Sequence, residues 1–286
     1  MITQDSALKG TKLSKSRIEP SLRGSFFDSL FQSEQRRKMD NTLAILKAHY
    51  QEGITDTATH KAAGDPRLKT STLIEYAKEA LILEYEDDPD GERPNYLPLI
   101  TLHHRTNPDT LARVLPLFTS DDPIDRRLAC RILKEFPQLG KMPTIYSPQI
   151  IAAIEDLLTD EEDEDVISVA LVAASWQCHP DAQDLMIKFS SDERFDIRAT
   201  VSSNISFTLE EDQPIPLNML KAILSLLNDK DEDVVWVILY DIEESPEYFQ
   251  RGKEDLREVL ESRKNDPDER LKELAESACL KLYGPA

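Results

Sequence analysis

Two short groups of residues in this sequence have types that could bind a metal ion or act as a catalytic pair. His103 and His104 are adjacent, and Cys178 is followed directly by His179. Adjacent residues point about 100° apart on a helix, so neither pair converges on one metal ion or one substrate atom. No Cys, Asp or Glu stands at helical ligand spacing from the two adjacent histidines. We therefore predict no metal site and no nucleophile–base pair.

The acidic segment that starts at Glu86 is similar in composition to a calcium-binding loop. Such a loop needs oxygen ligands at alternate positions, a glycine at the sixth and a bidentate glutamate at the twelfth. Gly91 occupies the sixth position, but the twelfth position is Leu97. We interpret this segment as a solvated turn.

The common catalytic and cofactor-binding motifs are also absent from the sequence. It contains no glycine-rich phosphate loop, no Cys-x-x-Cys pair, no His-Glu-x-x-His and no Gly-x-Ser-x-Gly. Carboxylates are numerous, but they cluster in turn-like segments where solvent screens them, whereas a general acid needs a desolvated carboxyl. We predict that the protein is not an enzyme and binds no cofactor.

The charge of the chain is large and unevenly distributed. The formal net charge is −20, with +4 over residues 1–50 and −19 over residues 141–286. An acidic body of this strength repels phosphate backbones and attracts basic molecules through its summed field. We therefore predict a protein partner with a basic surface and no binding of nucleic acid.

The sequence also bears on the compartment. No apolar run approaches the ~20 residues that span a bilayer, and the N-terminus lacks the apolar core of a secretory signal. Cys130, Cys178 and Cys279 lie far apart within apolar helical patterns. An odd number of buried thiols fits a reducing compartment better than a disulfide framework. We expect a cytoplasmic protein without a membrane segment.

The elements that must position any binding residues are helices with a repeated design. In residues 109–136, apolar residues recur at helical spacing on both sides of the acidic turn 120–123. The same arrangement occurs four more times toward the C-terminus, at intervals typical of solenoids built from helix pairs. When the second helices of the units are aligned, one equivalent position near the start of each, called the slot, recurs every 31 to 41 residues. The slot residues are Asp125, Val166, Ile197, Val234 and Leu271.

The first unit carries further signals. Leu115-Pro116-Leu117 lies in its first helix, Asp122-Pro123 in its turn and Arg126 early in its second helix. This combination resembles a HEAT repeat of the bacterial kind, and the resemblance covers roughly residues 107–283. It implies an all-α fold: a right-handed α-solenoid of stacked antiparallel helix pairs, a HEAT-like or ARM-type superhelix.

Some units depart from the HEAT pattern. A basic residue follows the slot at Arg126, Arg198 and Lys272, but Ile167 and Val235 take its place in the other two units. These departures leave the predicted fold unchanged. They argue against a continuous ladder of Asp–Arg pairs along the stack.

The pattern divides the chain into three predicted parts. Residues 1–22 are polar and form a mobile tail, and residues 107–286 form about five helix pairs. Residues 23–106 form a divergent helical cap with a loop at 51–69. Four aromatic or apolar residues of this part are predicted to cover the first end of the stack or, alternatively, to dock a partner: Phe26, Phe27, Leu30 and Phe31.

The second, inner helices hold the candidate partner-binding residues. Inner helices line the concave face of a solenoid, so apolar residues exposed there are candidate anchors. Trp236 and Tyr240 are four residues apart and share one face. The alternative is that neighbouring repeats cover such positions, which include Ile167 and Val235. The candidate set is Arg127, Arg131, Arg198, Asp231, Asp233, Trp236 and Tyr240.

These features predict a non-catalytic interaction protein, an acidic scaffold that binds a basic protein, for example as an immunity or sequestering protein. Two enzyme-related alternatives remain open. A HEAT-like DNA glycosylase would use a set such as Trp236, Asp241 and Arg198, although the acidic charge opposes DNA binding. A HEAT-like subunit of a bilin lyase rests on fold analogy alone.

Overall fold

The computed structural model describes Arg37 and residues 40–85, 95–136 and 144–284. Within these ranges all regular structure is helical and no strand occurs. Short 3₁₀ segments cover Leu115–Thr119, Ile205–Thr208 and Gln250–Gly252. The α-helices are α1 (described over 40–49), α2 (Asp56–Ala63), α3 (Thr70–Tyr85), α4 (Leu97–His103), α5 (Pro108–Val114), α6 (Pro123–Lys134), α7 (Ser147–Asp160), α8 (Glu164–Ser175), α9 (Ala182–Phe189), α10 (Phe195–Ser202), α11 (Leu217–Leu227), α12 (Glu232–Glu244), α13 (Pro246–Phe249), α14 (Lys253–Arg263) and α15 (Glu269–Tyr283).

Successive helices form antiparallel pairs that stack into an α-solenoid. The outer and inner helices of the pairs are α5 and α6, α7 and α8, α9 and α10, α11 and α12, and α14 and α15. Short turns join the members of each pair, as expected for antiparallel neighbours. The inner helices contact one another in the order α3, α6, α8, α10, α12, α15, and α11 contacts both α9 and α14 in the outer row. The all-α solenoid predicted from the sequence is confirmed.

Small and apolar side chains explain the close stacking of the inner helices. In α8, Val166, Ala170 and Ala174 are fully buried on a stripe with helical spacing. Small side chains on such a stripe let neighbouring helices approach closely. The outer helix α7 buries Ile150 and Ile154 on its one apolar face. The core therefore runs along the stack between the two rows of helices.

Short polar side chains mark several helix starts. Thr55, Asn107 and Asp163 each accept a hydrogen bond from the backbone N–H three residues later. These bonds satisfy donors that the first turn of a helix leaves free. Prolines in the first turns of α5, α6 and α7 lack such a donor and favour the helical φ.

The structure corrects two predictions of secondary structure. Residues 51–69, predicted as a loop, contain α2, which buries only Thr59 and Ala62 and therefore shows almost no apolar periodicity. The first outer helix, predicted over 111–118, is α5 followed by a 3₁₀ segment. Pro116 has no N–H to continue the α-helical bonding, so the chain tightens there.

Some predicted features lie outside the described residues: the tail 1–22, the aromatic residues of 26–31 and the acidic turn 86–91. The boundary between the cap (23–106) and the repeats (107–286) stays a prediction. In the part of the chain that the structure describes, no helix has both the length and the apolar character needed to cross a bilayer.

Candidate functional site

One turn geometry precedes all six helices of the inner row, including α3. A side-chain oxygen at the start of each turn accepts a hydrogen bond from the backbone N–H two residues later, over 2.9 to 3.2 Å. This bond orders the chain just before the helix begins. The acceptor and donor residues are Asp65 and Arg67, Ser120 and Asp122, Glu161 and Asp163, Asp192 and Arg194, Asp229 and Asp231, and Asp266 and Asp268.

Arg198 of α10 connects the turn of its own repeat to the next turn. Its guanidinium donates to the carbonyls of Asp192 and Glu193, at 2.9 and 3.0 Å. It also donates to both carboxylate oxygens of Asp229, at 2.7 and 3.0 Å, and to Asp231. The side chains of Arg198 and Asp229 are only 5% and 9% exposed. Arg198, a predicted partner contact, is therefore an internal bridge.

The electrostatics of this bridge favour the charged state. Burial alone would raise the pKa of Asp229, but the guanidinium of Arg198 and the N–H of Asp231 lower it below its ordinary value. Bidentate contact between a guanidinium and a carboxylate is a strong form of ion pair.

Arg126 of α6, two repeats earlier in the chain, makes the same kind of bridge. It donates to the carbonyls of Ser120 and Asp121 in its own turn and to both oxygens of Glu161 in the next, the latter at 2.6 and 3.0 Å. Arg126 and Arg198 are thus equivalent, as the sequence alignment of the repeats predicted. Asp125 is the third residue of α6, as Ile197 is of α10, so an aspartate at this position does not change where the helix begins.

Helices α8 and α12 lack a basic residue after the slot, and the carboxylates of the turns that follow them pair with other arginines. Asp192 pairs with Arg194 of the same turn at 2.8 Å, and the hydrogen bond from Arg194 lowers the pKa of Asp192. Asp266 pairs with Arg263 at 2.7 Å, and Arg263 also donates to the carbonyl of Leu227. The ladder of cross-repeat pairs is therefore interrupted, although these turn carboxylates are still compensated.

The basic candidates on α6 are also engaged within the chain. Arg127 is mostly buried and contacts both Asp163 and Asp165 at 2.8 Å. Arg131 pairs with Glu84 of α3, and its carbonyl lies 3.0 Å from Nε2 of His103. The candidates Arg127 and Arg131, like Arg126 on the same helix, therefore hold neighbouring repeats together.

The acidic candidates separate into two kinds. Asp231 is bound by Arg198, whereas Asp233 has a side chain 68% exposed, with only Arg270 at 3.7 Å. Asp196 holds the equivalent place in the first turn of α10 and is exposed; within the described residues no cation pairs with it. The acidic charge with little or no pairing on this edge is therefore at Asp196 and Asp233, together with the exposed glutamates Glu162, Glu164, Glu193 and Glu232.

Trp236 and Tyr240 form a stacked pair on the surface of α12. Their ring centroids are 5.3 Å apart and the planes differ by 8°. Trp236 packs partly against the core, and Tyr240 is 45% exposed. Other inner-helix positions offered as possible anchors are covered by neighbouring repeats: Cys130, Ile167, Leu171, Val235 and Leu239.

Sequence reasoning missed a second aromatic cluster on the inner row. Trp176, at the end of α8, lies 5.5 Å from Phe207 between ring centroids, and Nζ of Lys134 lies 4.0 Å above the Trp176 ring. In the sequence, Pro180 indicates that a helix ends just before it, and this gives no sign that Trp176 contacts another aromatic ring. The aligned repeats could have revealed the cluster, because Trp176 and Phe207 both stand ten residues after the slot.

Asp241 is a buried carboxyl on α12 beside the stacked pair. It accepts hydrogen bonds from the hydroxyl and the N–H of Ser206, at 2.7 and 3.3 Å. Burial raises the pKa of Asp241 to about 6. The set Trp236, Asp241 and Arg198 does not converge on a cleft, because the carboxyl faces Ser206 and the guanidinium faces Asp229.

The histidines and cysteines have structural surroundings. Burial lowers the pKa of His103 to about 4, so its imidazole is neutral at neutral pH. Cys130 is fully buried, which raises the pKa of its thiol. Within the described ranges, no three His, Cys, Asp or Glu side chains are placed to hold a metal ion.

Comparisons with known proteins give similarity of architecture at low identity. No family model matches the chain, and no curated protein matches it. Among solved structures, a designed armadillo repeat protein is 14% identical, with 78% of this chain and 98% of that chain covered and a TM-score of 0.44. An engineered protein is 13% identical, with 81% and 100% covered and a TM-score of 0.45.

Proposed function

We propose that this chain is a non-catalytic scaffold that binds a basic protein on the inner-helix face of its C-terminal repeats. The proposal rests on a difference between the carboxylates of this edge: some are ion-paired within the chain and others have little or no pairing. The first carboxylates of the turns are compensated by arginines, whereas Asp196 and Asp233 on the same edge are exposed with little or no pairing.

Free carboxylates beside one another raise the local negative potential. Solvent limits the repulsion between them, but a basic partner would still be attracted over a Debye length of about 8 Å at physiological salt. The net charge of −19 over residues 141–286 adds a long-range field of the same sign. Association with a basic surface is therefore expected to be fast and sensitive to salt.

The apolar part of the proposed surface lies between the two aromatic clusters. Helix α10 contacts both α8 and α12, and its residues Ala199 and Ser203 stand where α12 has Trp236 and Tyr240. Both small residues are at least partly exposed and so belong to the same surface. Aromatic residues that become fully covered often dominate the binding free energy.

In its more specific form, the proposal is that binding sequesters the partner, as an immunity protein does with a toxin. Two observations support a binding role over catalysis. The described carboxyl with the largest upward pKa shift, Asp241, is bonded to Ser206, and Arg198 is buried in an ion pair. Neither group is free to act on a substrate.

Affinity capture with matched variants tests this proposal. The wild-type chain and an Asp233→Lys variant are immobilised and exposed to an extract of the host, and captured proteins are identified. Glu258→Lys makes the same charge change on the exposed face of outer helix α14 and serves as the control. We expect a basic protein that wild type and control retain and that Asp233→Lys loses.

Kinetics with that protein then separate the two parts of the surface. Asp233→Lys should lower the association rate and flatten its salt dependence, whereas Trp236→Ala should mainly raise the dissociation rate. Capture of only acidic proteins, or equal association rates for Asp233→Lys and Glu258→Lys, would contradict the proposal. Loss of the partner's own activity on binding would support sequestration.

A further inference from the structure

The exposed aromatic rings of this molecule differ in whether a cation lies over them. Lys134 lies 4.0 Å from the Trp176 centroid, Arg257 lies 4.0 Å from the Tyr283 centroid, and Lys188 lies 5.0 Å from the Phe189 centroid. The field of an aromatic ring attracts a cation over its face. The chain therefore places its own cations over two partly exposed rings, Trp176 and Tyr283, and over the buried ring of Phe189, whereas Phe195, 39% exposed, has none among the described residues.

The Trp236–Tyr240 pair is a second exposed aromatic site without such a cation. Among the described residues, no lysine or arginine lies over either ring. Lys281, on the adjacent α15, is instead bound to Glu243 at 2.6 Å. Tyr240 nevertheless remains 45% exposed, more than most aromatic residues of the inner row.

Carboxylates surround this uncovered pair. Asp233 stands three residues before Trp236, and Glu244 stands four residues after Tyr240, so both lie on the same face of α12 as the rings. Glu273 of α15 occupies the slot position that corresponds to Trp236, and its side chain is exposed. The surface thus offers a flat aromatic face and a negative rim, which together suit a planar cation.

We propose that the Trp236–Tyr240 pair is the seat of an arginine supplied by the partner. This inference rests on the proposed function and names the residue type that the site selects. The guanidinium stacks on the exposed side of the ring pair and donates N–H groups to the carboxylates at its rim. Arginine fits better than lysine, because its planar group can stack and donate at the same time.

The chemistry distinguishes this seat from a general acidic surface. An acidic surface alone attracts lysine and arginine alike and does not depend on aromatic rings. A stacking seat also loses affinity when the charge of the guanidinium is removed with its shape preserved, but unlike an acidic surface it prefers arginine to lysine and loses affinity when the rings are replaced by aliphatic side chains. Citrulline provides the first change, because it is a neutral analogue of arginine with nearly the same shape.

The test uses three fluorescein-labelled heptapeptides, each with three identical test residues separated by glycine: arginine, lysine or citrulline. Their binding to the full chain is followed by fluorescence anisotropy at low ionic strength. We expect the arginine peptide to bind most tightly, and Trp236→Leu to weaken it about tenfold, as a cation–π contact of about 1.4 kcal/mol implies. Tyr283→Leu, at the ring already covered by Arg257, should leave the affinity unchanged.

Because Trp236 packs partly against the core, Tyr240→Leu serves as a second variant. Tyr240 is exposed, so its replacement removes the stack while the core stays intact. It should weaken the arginine peptide several-fold without lowering the melting temperature. Circular dichroism of each variant shows whether the fold is retained.

The outcomes separate this inference from the proposed function. Equal affinity of the arginine peptide and either the lysine or the citrulline peptide, or no binding of the arginine peptide, overturns the inference. If the captured basic protein still depends on Asp233 while Trp236→Leu and Tyr240→Leu bind the arginine peptide normally, the acidic scaffold stands and the arginine seat does not exist. If no basic protein is captured, the proposed function fails, whatever the peptides show.

Discussion

Helix α10 contacts its two neighbours in the inner row through different chemistry. Toward α12, Arg198 binds the buried carboxylate of Asp229, and Ser206 binds the buried carboxyl of Asp241. Toward α8, the position equivalent to Arg198 is Ile167, which is fully packed in the core. The same stacking geometry can therefore be stabilised by charge or by apolar contact.

The difference shows what each kind of junction requires of its neighbours. An apolar junction needs only complementary shape, and the charges of its turn are compensated locally by Asp192 and Arg194. The ionic junction makes two repeats depend on one another, because Arg198 and Asp229 come from different units. Removing one member of a buried pair leaves the other without compensation.

The largest effect is expected from Arg198→Ala at the ionic junction. It leaves Asp229 buried without its cation and should lower the free energy of unfolding by about 3–5 kcal/mol. Urea denaturation followed by circular dichroism measures the loss. Arg257→Ala removes an exposed pair with Glu254 and is the control, with no measurable change expected. Equal stability of the two variants would show that the bridge contributes nothing.

A smaller loss is expected from Ile167→Ala at the apolar junction. Truncation of a fully buried isoleucine leaves a cavity and should cost about 3 kcal/mol. The loss should not change between low and high salt, because no charge is involved. A strong salt dependence would indicate that the α8–α10 junction is electrostatic after all.

The smallest effect, and the one with a pH dependence, is expected at Asp241. Its pKa is raised to about 6 in the folded protein, against about 3.9 in an unfolded chain. The folded state therefore binds the proton more tightly, and this contribution to stability is lost as pH rises from about 4 to about 6. Between pH 7 and pH 4, wild type should gain about 2 kcal/mol relative to Asp241→Asn.

Thermal denaturation of both proteins across this range measures that difference. Other carboxylates, whose pKa values are lowered, produce the opposite trend in both proteins and cancel in the comparison. A constant difference between wild type and Asp241→Asn would show that the carboxyl is already solvated in the folded state.

Much of this architecture could be predicted because the repeats share one pattern of apolar helical spacing and acidic turns. The alignment that placed Asp125 and Ile197 in one slot is supported by the matching bridges of Arg126 and Arg198. The destination of those arginines could not be predicted, because an early arginine on an inner helix can point to the concave face or to the next turn. The turn carboxylates that decide between these directions lie more than thirty residues away in sequence.

The candidate surface was only partly predictable for a related reason. Periodicity marked Val235, Trp236, Leu239 and Tyr240 together as apolar residues of α12. Which of them is covered depends on the neighbouring helices, and the structure buries Val235 and Leu239. The free charge at Asp196 emerged only when the partners of the other acids had been located.

The turn before α10 contains a complete ion pair within three residues, Asp192 and Arg194. A unit with that property can be copied, removed or exchanged without leaving an unpaired charge on the unit before it. The turn before α12 lacks this independence, because its carboxylate relies on Arg198 of the preceding unit. The array can therefore be divided between α8 and α9, where a protein engineer could lengthen or shorten the proposed binding face. The two units joined by Arg198 are best moved as one block.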